Sequence, residues 1–308
     1  MTHEPSYVLL YKAGELEQRV NQCNELLNHC SVCPLECKVN RLAGEIGFCK
    51  SAALARVSSY GPHHGEEQPL SGWNGSGTIF FTHCNLRCQY CQNYDISQTN
   101  NGMEVSAQEL ANIMLKLQNM GCHNINFVSP THIVPQILSA LLIAVQAGLR
   151  LPLVYNSGGY DSVKTLQLLE GIFDIYMPDM KYADEQTARR YSKIPNYPHI
   201  NQAAIREMYR QVGDLVIDED GIAQRGLLVR HLVLPNNLAG SRQIFEFLAQ
   251  EVSKNTYLNV MAQYHPAYYA HHYPELNRGI TTTEYQNAIQ IAQSVGLTRL
   301  DKYNSWSR

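Results

Sequence analysis

The sequence predicts an α/β protein, an open partial (β/α)6 barrel preceded by a small four-cysteine module. Three observations carry this expectation. From Thr78 onward, short apolar runs rich in β-branched and aromatic residues alternate with amphipathic stretches at helical spacing, the pattern of a parallel sheet. The units number six, short of the eight that close a barrel. Residues 1–75 instead carry the four-cysteine set Cys30, Cys33, Cys37 and Cys49 among many turn formers, the texture of a small unit that needs a staple in place of a core. The predicted division is therefore 1–75, a cysteine-rich metal-binding module, and 76–308, a barrel with a C-terminal extension.

The strands are expected at 78–82, 124–129, 153–156, 173–177, 228–234 and 258–263. Helices are expected between and after them at 106–120, 134–147, 162–170, 201–212, 241–253 and 283–295. The first of these opens on Ser106 with Glu109 three residues later, the signature of a capping box. Residues 215–225 contain Asp218-Glu219-Asp220-Gly221 and read as a hairpin inserted before the fifth strand.

Composition narrows the setting. At 308 residues, with 44% hydrophobic and 17% charged residues, the chain has the make-up of a folded domain. A net charge of -3 supplies no basic field for nucleic acid. The apolar run Tyr7 to Tyr11 is broken by Lys12 and Glu15, too short for a signal core or a membrane span, so no membrane association is expected and the location expected is the cytoplasm. In a reducing compartment, tightly clustered cysteines point to metal and not to disulfides.

Cys84, Cys88 and Cys91 form a C-x3-C-x2-C triplet directly after the run Thr78 to Phe81. A cubane of four irons is normally held by four thiolates, so a triplet leaves one iron open for chemistry. The same thiols with His83 as fourth ligand would suit zinc, and that alternative stays open at this point. Upstream, Cys30, Cys33, Cys37 and Cys49 give C-x2-C-x3-C-x11-C. Four thiols close a shell, for a structural zinc, the preferred reading, or for an auxiliary iron-sulfur cluster. Cys122 reads as a small buried apolar residue and Cys23 as a helix residue. The segment His63-His64-Gly65-Glu66-Glu67 reads either as a metal or acid-base cluster or as a solvated loop. The aromatic run Tyr264 to Tyr273 reads as a substrate mouth or as a packed cap.

Polar groups recur at the carboxyl ends of all six expected strands, where barrel loops converge. They are the cysteine triplet, Ser129-Pro130-Thr131-His132, Asn156-Ser157-Gly158-Gly159-Tyr160, Pro178-Asp179-Met180-Lys181, Pro235-Asn236-Asn237 and Gln263-Tyr264-His265-Pro266. The triplet, with an aromatic before its third cysteine, resembles the cluster motif of the radical S-adenosylmethionine (SAM) superfamily. Together with Gly77 to Phe81, Gln92-Asn93-Tyr94, Tyr155 to Asp161 and Pro178 to Tyr182, the chain from about Cys30 to Leu300 is similar to its pyruvate formate-lyase activating enzyme family.

That resemblance implies a 4Fe-4S cluster on Cys84, Cys88 and Cys91 with SAM on the open iron. It also implies reductive SAM cleavage, hydrogen abstraction from a substrate such as a protein glycine, and a reductant such as flavodoxin or ferredoxin. By motif and order, Asp179 and Lys181 match catalytic positions, and Asp179 and His265 match SAM-holding positions. The Gly-Gly-Glu turn of many members is replaced here by Ser129-Pro130-Thr131-His132. Hydroxyls and carbonyls of Ser129, Thr131 and the neighbouring strand end at Asn156 are then the expected SAM contacts. Two alternatives accompany this reading: radical SAM modification of a small molecule or peptide, and a non-catalytic iron-sulfur or zinc protein that binds a partner or carries electrons.

Overall fold

The computed structural model describes residues 4–301, so the ends of the two expected units at 1–3 and 302–308 lie outside it. Its sheet comprises β1 (Ala55–His63), β2 (Ser76–Phe81), β3 (Met103–Val105), β4 (Ile125–Val128), β5 (Leu153–Ser157), β6 (Ile175–Pro178), β7 (Val216–Ile217), β8 (Ala223–Leu232) and β9 (Tyr257–Met261). Strands β2, β4, β5, β6, β8 and β9 pair in parallel in that order, and they are the six strands expected from sequence. The arc does not close. The outer edge of β2 is taken by antiparallel β1, which in turn pairs β3, while the far edge of β9 is bridged by Leu300. The hairpin expected at 215–225 is β7 pairing antiparallel with β8, and Gly221 takes the left-handed φ of +84° that its turn requires.

The helices lie on the outside of the arc. The capping box of Ser106 and Glu109 opens the helix Ala107–Asn119 as expected. The helix expected at 201–212 begins earlier, at Tyr197, because Pro198 pre-sets φ in the first turn. The helix expected at 241–253 is α-helical over Ser241–Phe247 and π-helical over Leu248–Val252. Helices Ser6–Lys12 and Glu185–Ser192 are not foreshadowed by the sequence pattern, whereas Glu15–Glu25 is the helix that carries Cys23 as expected.

Strand alternation sorts the core into layers. On β4, Ile125 and Phe127 face the helices and join Ile137 and Leu141 in the large outer cluster, which also takes Cys23 and Cys122 as buried apolar groups. Tyr7, Leu16 and Val20 of the first two helices enter that same cluster. Inside the arc, Leu70, Val154, Ile175, Met177 and Leu228 form a separate apolar plug. A third cluster of Leu86, Cys88, Tyr90, Tyr160, Tyr182 and Tyr197 packs behind the cysteine loop. Strand ends are thus held between two apolar bodies, with their polar residues directed to one mouth.

Candidate active site

A cavity of about 570 Å³ opens at the carboxyl ends of the parallel strands. Cys84, Cys88 and Cys91 line it together with Ser129, Asn156, Asp179 and Lys181. Two of the expected site residues lie elsewhere. Thr131 is buried and donates its hydroxyl to Asp161 Oδ1 at 2.6 Å, so it ties the ends of β4 and β5 together and does not face the cavity. His265 is exposed, with Nδ1 3.2 Å from Gln92 Nε2, beside the cysteine loop and outside the lining. The aromatic run after it also stays outside. Tyr264 is buried against Leu276 O, and Tyr268 stacks on Tyr94 with ring centroids 5.1 Å apart.

The cysteine loop leaves β2 through His83, a non-glycine residue at φ +74°, a conformation that costs energy unless neighbours impose it. They do so here. His83 Nε2 lies 2.8 Å from Asn100 Oδ1 and Nδ1 lies 3.3 Å from Ser51 Oγ. With both ring nitrogens engaged, His83 is not available as the fourth ligand of a zinc reading. Leu86 N–H donates to Cys84 Sγ at 3.4 Å, while Cys88 Sγ and Cys91 Sγ lie 3.0 Å and 3.2 Å from the hydroxyls of Ser192 and Ser97. Burial pushes the Cys84 thiol up to about 12, with Cys88 adding to the rise. Burial likewise pushes Cys88 up to about 11, against the pull of Lys181. Thiolates at this position therefore need a cation to hold their charge, and donors already aimed at sulfur suit an iron-sulfur cluster. Among the described residues no three His, Cys, Asp or Glu side chains converge as ligands of a single ion; in a cubane each thiolate takes a different iron.

Opposite the loop, Lys181 Nζ donates to Asp179 Oδ2 at 2.5 Å. Burial pulls the Lys181 amine down, but Asp179 beside it wins and holds the amine well above its usual range, as a cation. The backbone carrying this pair is fixed from behind. Gly159 sits at φ +73°, and a Cβ there would fall 2.0 Å from Asp179 O, so only glycine permits the approach. Asn201 Nδ2 donates to Gly159 O at 2.8 Å and to Asp179 O at 2.9 Å, and the Tyr197 hydroxyl accepts Lys181 N–H at 3.0 Å. Asp161 is buried beneath. Burial pushes its carboxyl up, and the hydroxyls of Ser157, Thr131 and Tyr155 pull it back.

The inner wall holds groups that the sequence reading did not assign to the site. Glu66 and Glu67, from the segment read as a cluster or a solvated loop, are buried and line the cavity. Arg230 of β8 gives Nε and Nη2 to the two oxygens of Glu67 at 2.6 and 2.7 Å, and Nη2 also to Glu66. Asn259 donates to Glu67 Oε1 at 2.7 Å, and Arg230 Nη1 reaches Asn156 Oδ1 at 3.4 Å. The available signal was a lone arginine inside the apolar run Leu227 to Leu234, in phase with an inward-facing position.

A family model described as the radical SAM superfamily matches residues 78–215, the span from β2 to the start of the hairpin. A curated relative matches over most of the chain. The uncharacterized protein MJ0674 of Methanocaldococcus jannaschii is 33% identical over 296 residues, covering 93% of this chain and 80% of that protein. The chain belongs to the radical SAM superfamily. Superfamily membership implies a 4Fe-4S cluster and SAM as cofactors. Among solved structures, a radical SAM methyltransferase from Sphaerobacter thermophilus shares the fold with a TM-score of 0.52 and 13% identity, covering 74% of this chain and 66% of that one. A domain of pyruvate-formate lyase-activating enzyme from Bacteroides vulgatus gives a TM-score of 0.36 at 14% identity, covering 62% of this chain and 88% of that domain. Among the described residues no helix is long and apolar enough to cross a membrane.

Proposed function

We propose that this radical SAM enzyme binds its cluster through Cys84, Cys88 and Cys91 and abstracts a hydrogen atom from a substrate held in the adjoining cavity. The observation that carries the reading is the shared cavity: three thiols and the Asp179–Lys181 pair line one mouth at parallel strand ends. When bound, the cluster and SAM supply the reducing electron and the adenosyl radical. The protein's part is to bind, orient and exclude water. Lys181, held as a cation, is suited to a carboxylate, and Asp179 to a hydroxyl or amide donor. Ser129 and Asn156 present polar groups on the wall between them. Abstraction from a protein glycine, with a flavodoxin- or ferredoxin-class reductant, is the finer form of the proposal. It rests on the motif resemblance of Asp179, Lys181 and the triplet to the glycyl-radical activases. Modification of a small molecule or peptide is the rival form.

The test uses anaerobically reconstituted protein. SAM should perturb the electron paramagnetic resonance signal of the reduced cluster, and Cys88→Ala should remove that signal. Asp179→Ala should lower the yield of 5′-deoxyadenosine about tenfold or more while leaving iron content intact, a loss in the range of one misplaced positioning group. A signal indifferent to SAM would overturn the cluster assignment. A full yield from Asp179→Ala would remove that residue from the site.

A further inference from the structure

The segment that carries the four N-terminal cysteines packs against the loop that carries the cysteine triplet. Arg87, between Cys84 and Cys88, donates Nη2 to Phe48 O at 3.0 Å, and its guanidinium carbon lies 4.1 Å from the Phe48 ring centroid. Phe48 immediately precedes Cys49, and its own N–H donates to Cys37 Sγ at 3.4 Å. Leu35 and Phe48, from the four-cysteine segment, pack on the cluster that contains Leu86 and Cys88. A second bridge runs from Ser51 Oγ to His83 Nδ1, and a third from Lys50 Nζ to Gln98 O at 3.3 Å. The two cysteine loops are therefore neighbours through packed side chains and direct hydrogen bonds.

The usual reason for a structural zinc is a segment with too little core to order itself. This segment is ordered by other means. Arg41 is 1% exposed and donates to Ala52 O at 3.0 and 2.8 Å and to His132 O at 2.6 Å. Thr165 Oγ1 donates to Val32 O at 2.9 Å, while Cys30 and Val32 belong to the main apolar cluster. Cys30, Cys33 and Cys49 are buried and Cys37 half-buried, and a Cβ on Gly47 would lie 2.8 Å from Cys37 Sγ, so the chain returns tightly over that sulfur. Cys33 lies near enough to Cys30, Cys37 and Cys49 to feel their charges, and four thiols gathered in a segment fixed by these contacts, beside the loop of the cysteine triplet, are better explained by electron transfer than by stapling.

We propose that Cys30, Cys33, Cys37 and Cys49 hold an iron-sulfur cluster that delivers electrons to the Cys84–Cys88–Cys91 centre across the Arg87–Phe48 contact. This replaces the zinc preferred from spacing alone, and it rests on the cluster reading of the triplet. One electron leaves the four-cysteine cluster, which is oxidised by one unit, and enters the triplet cluster, which is reduced by one. A one-electron donor of the flavodoxin or ferredoxin class restores the first, and no bond or proton changes place.

The experiment compares anaerobically iron-reconstituted full-length protein with two variants. Cys84→Ala/Cys88→Ala/Cys91→Ala keeps only the N-terminal set, and Cys30→Ala/Cys33→Ala keeps only the triplet. The first variant should retain iron and sulfide in about equal amounts, near the four of each in a cubane. After reduction with dithionite, the wild-type resonance should be broadened by interaction between two spins, and that broadening should be lost in each variant. Zinc near one per chain in the first variant, with no sulfide, overturns the proposal. So does a wild-type spectrum equal to the sum of the two variant spectra. If the second variant does not fold, comparison of the wild type with the first still decides through the same broadening. A SAM-responsive signal in the second variant tests the triplet alone, so failure of that reading is told apart from failure of this one.

Discussion

Arg230 holds the inner wall of the cavity together. Its side chain is 16% exposed and those of its partners Glu66 and Glu67 only 6% and 1%, so two carboxylates share one cation away from water. Burial raises Glu67, and Arg230 overrides it to hold the carboxyl below its usual range. Removing the cation strands two buried anions, whereas removing one anion leaves the other to neutralise the arginine. Arg230→Ala should therefore destabilise the fold by about 3–5 kcal/mol, the range for a broken buried pair, and Glu66→Gln by clearly less. Urea unfolding at neutral pH measures both. Equal losses would mean that shape and not charge sets the wall.

Among the helices, Ala107–Asn119 shows local sequence acting alone. Ser106 accepts Glu109 N–H at 3.2 Å, and Glu109 accepts Ser106 N–H at 2.7 Å, satisfying two donors that the helix start would otherwise leave open. Ser106→Ala should cost about 1 kcal/mol, seen as a lower urea midpoint with an unchanged slope. An unchanged midpoint would show that packing of Leu110 and Met114 holds the turn without its cap. Such local signals explain what was legible. The six parallel strands were readable because burial on both faces makes continuous apolar runs, and the triplet because its spacing is nearly unique. Strand β1 escapes the pattern because β3 flanks its outer side only over Ala55 to Val57, the rest is half-exposed or exposed and Pro62 interrupts it, and β3 because it is three residues long. In helix Glu15–Glu25 only Cys23 was legible as helical, because the spacing of the buried Leu16, Val20 and Cys23 is obscured by the polar residues between them. Thr131 and His265 were placed at the site from chain order. Order fixes which strand end a residue follows, but not whether its hydroxyl is taken by Asp161 or its ring directed to Gln92.

Across the whole molecule, separate parts meet on two buried histidines. The carbonyl of His132 accepts Arg41 from the N-terminal segment, and its Nε2 lies 3.2 Å from Thr82 O at the end of β2. His231 of β8 lies 2.8 Å from Met180 O through Nδ1 and 2.9 Å from Ser241 Oγ through Nε2, joining β6 to the helix Ser241–Phe247. Burial lowers His132 to about 3, with the Arg41 charge lowering it further, and lowers His231 to about 4, where Asp179 and Lys181 act in opposite senses. Both are neutral in the fold, and both would bind a proton in the unfolded chain below its ordinary value of 6.5. The unfolded state then holds more protons than the native one, so stability rises with pH across this window. The contribution is complete above 6.5 and is lost as pH falls from there toward about 4 for His231 and about 3 for His132. Each histidine should contribute a slope approaching about 1.4 kcal/mol per pH unit within its window. Urea unfolding free energies measured from pH 7.5 down to about pH 5, all above the range where carboxylates dominate, give that slope directly. His231→Gln should reduce the slope by the share of one proton, less than half of it, because burial lowers His83 and His123 as well as His132. A variant that loses stability yet keeps the full slope would show that His231 is not the group taking up the proton.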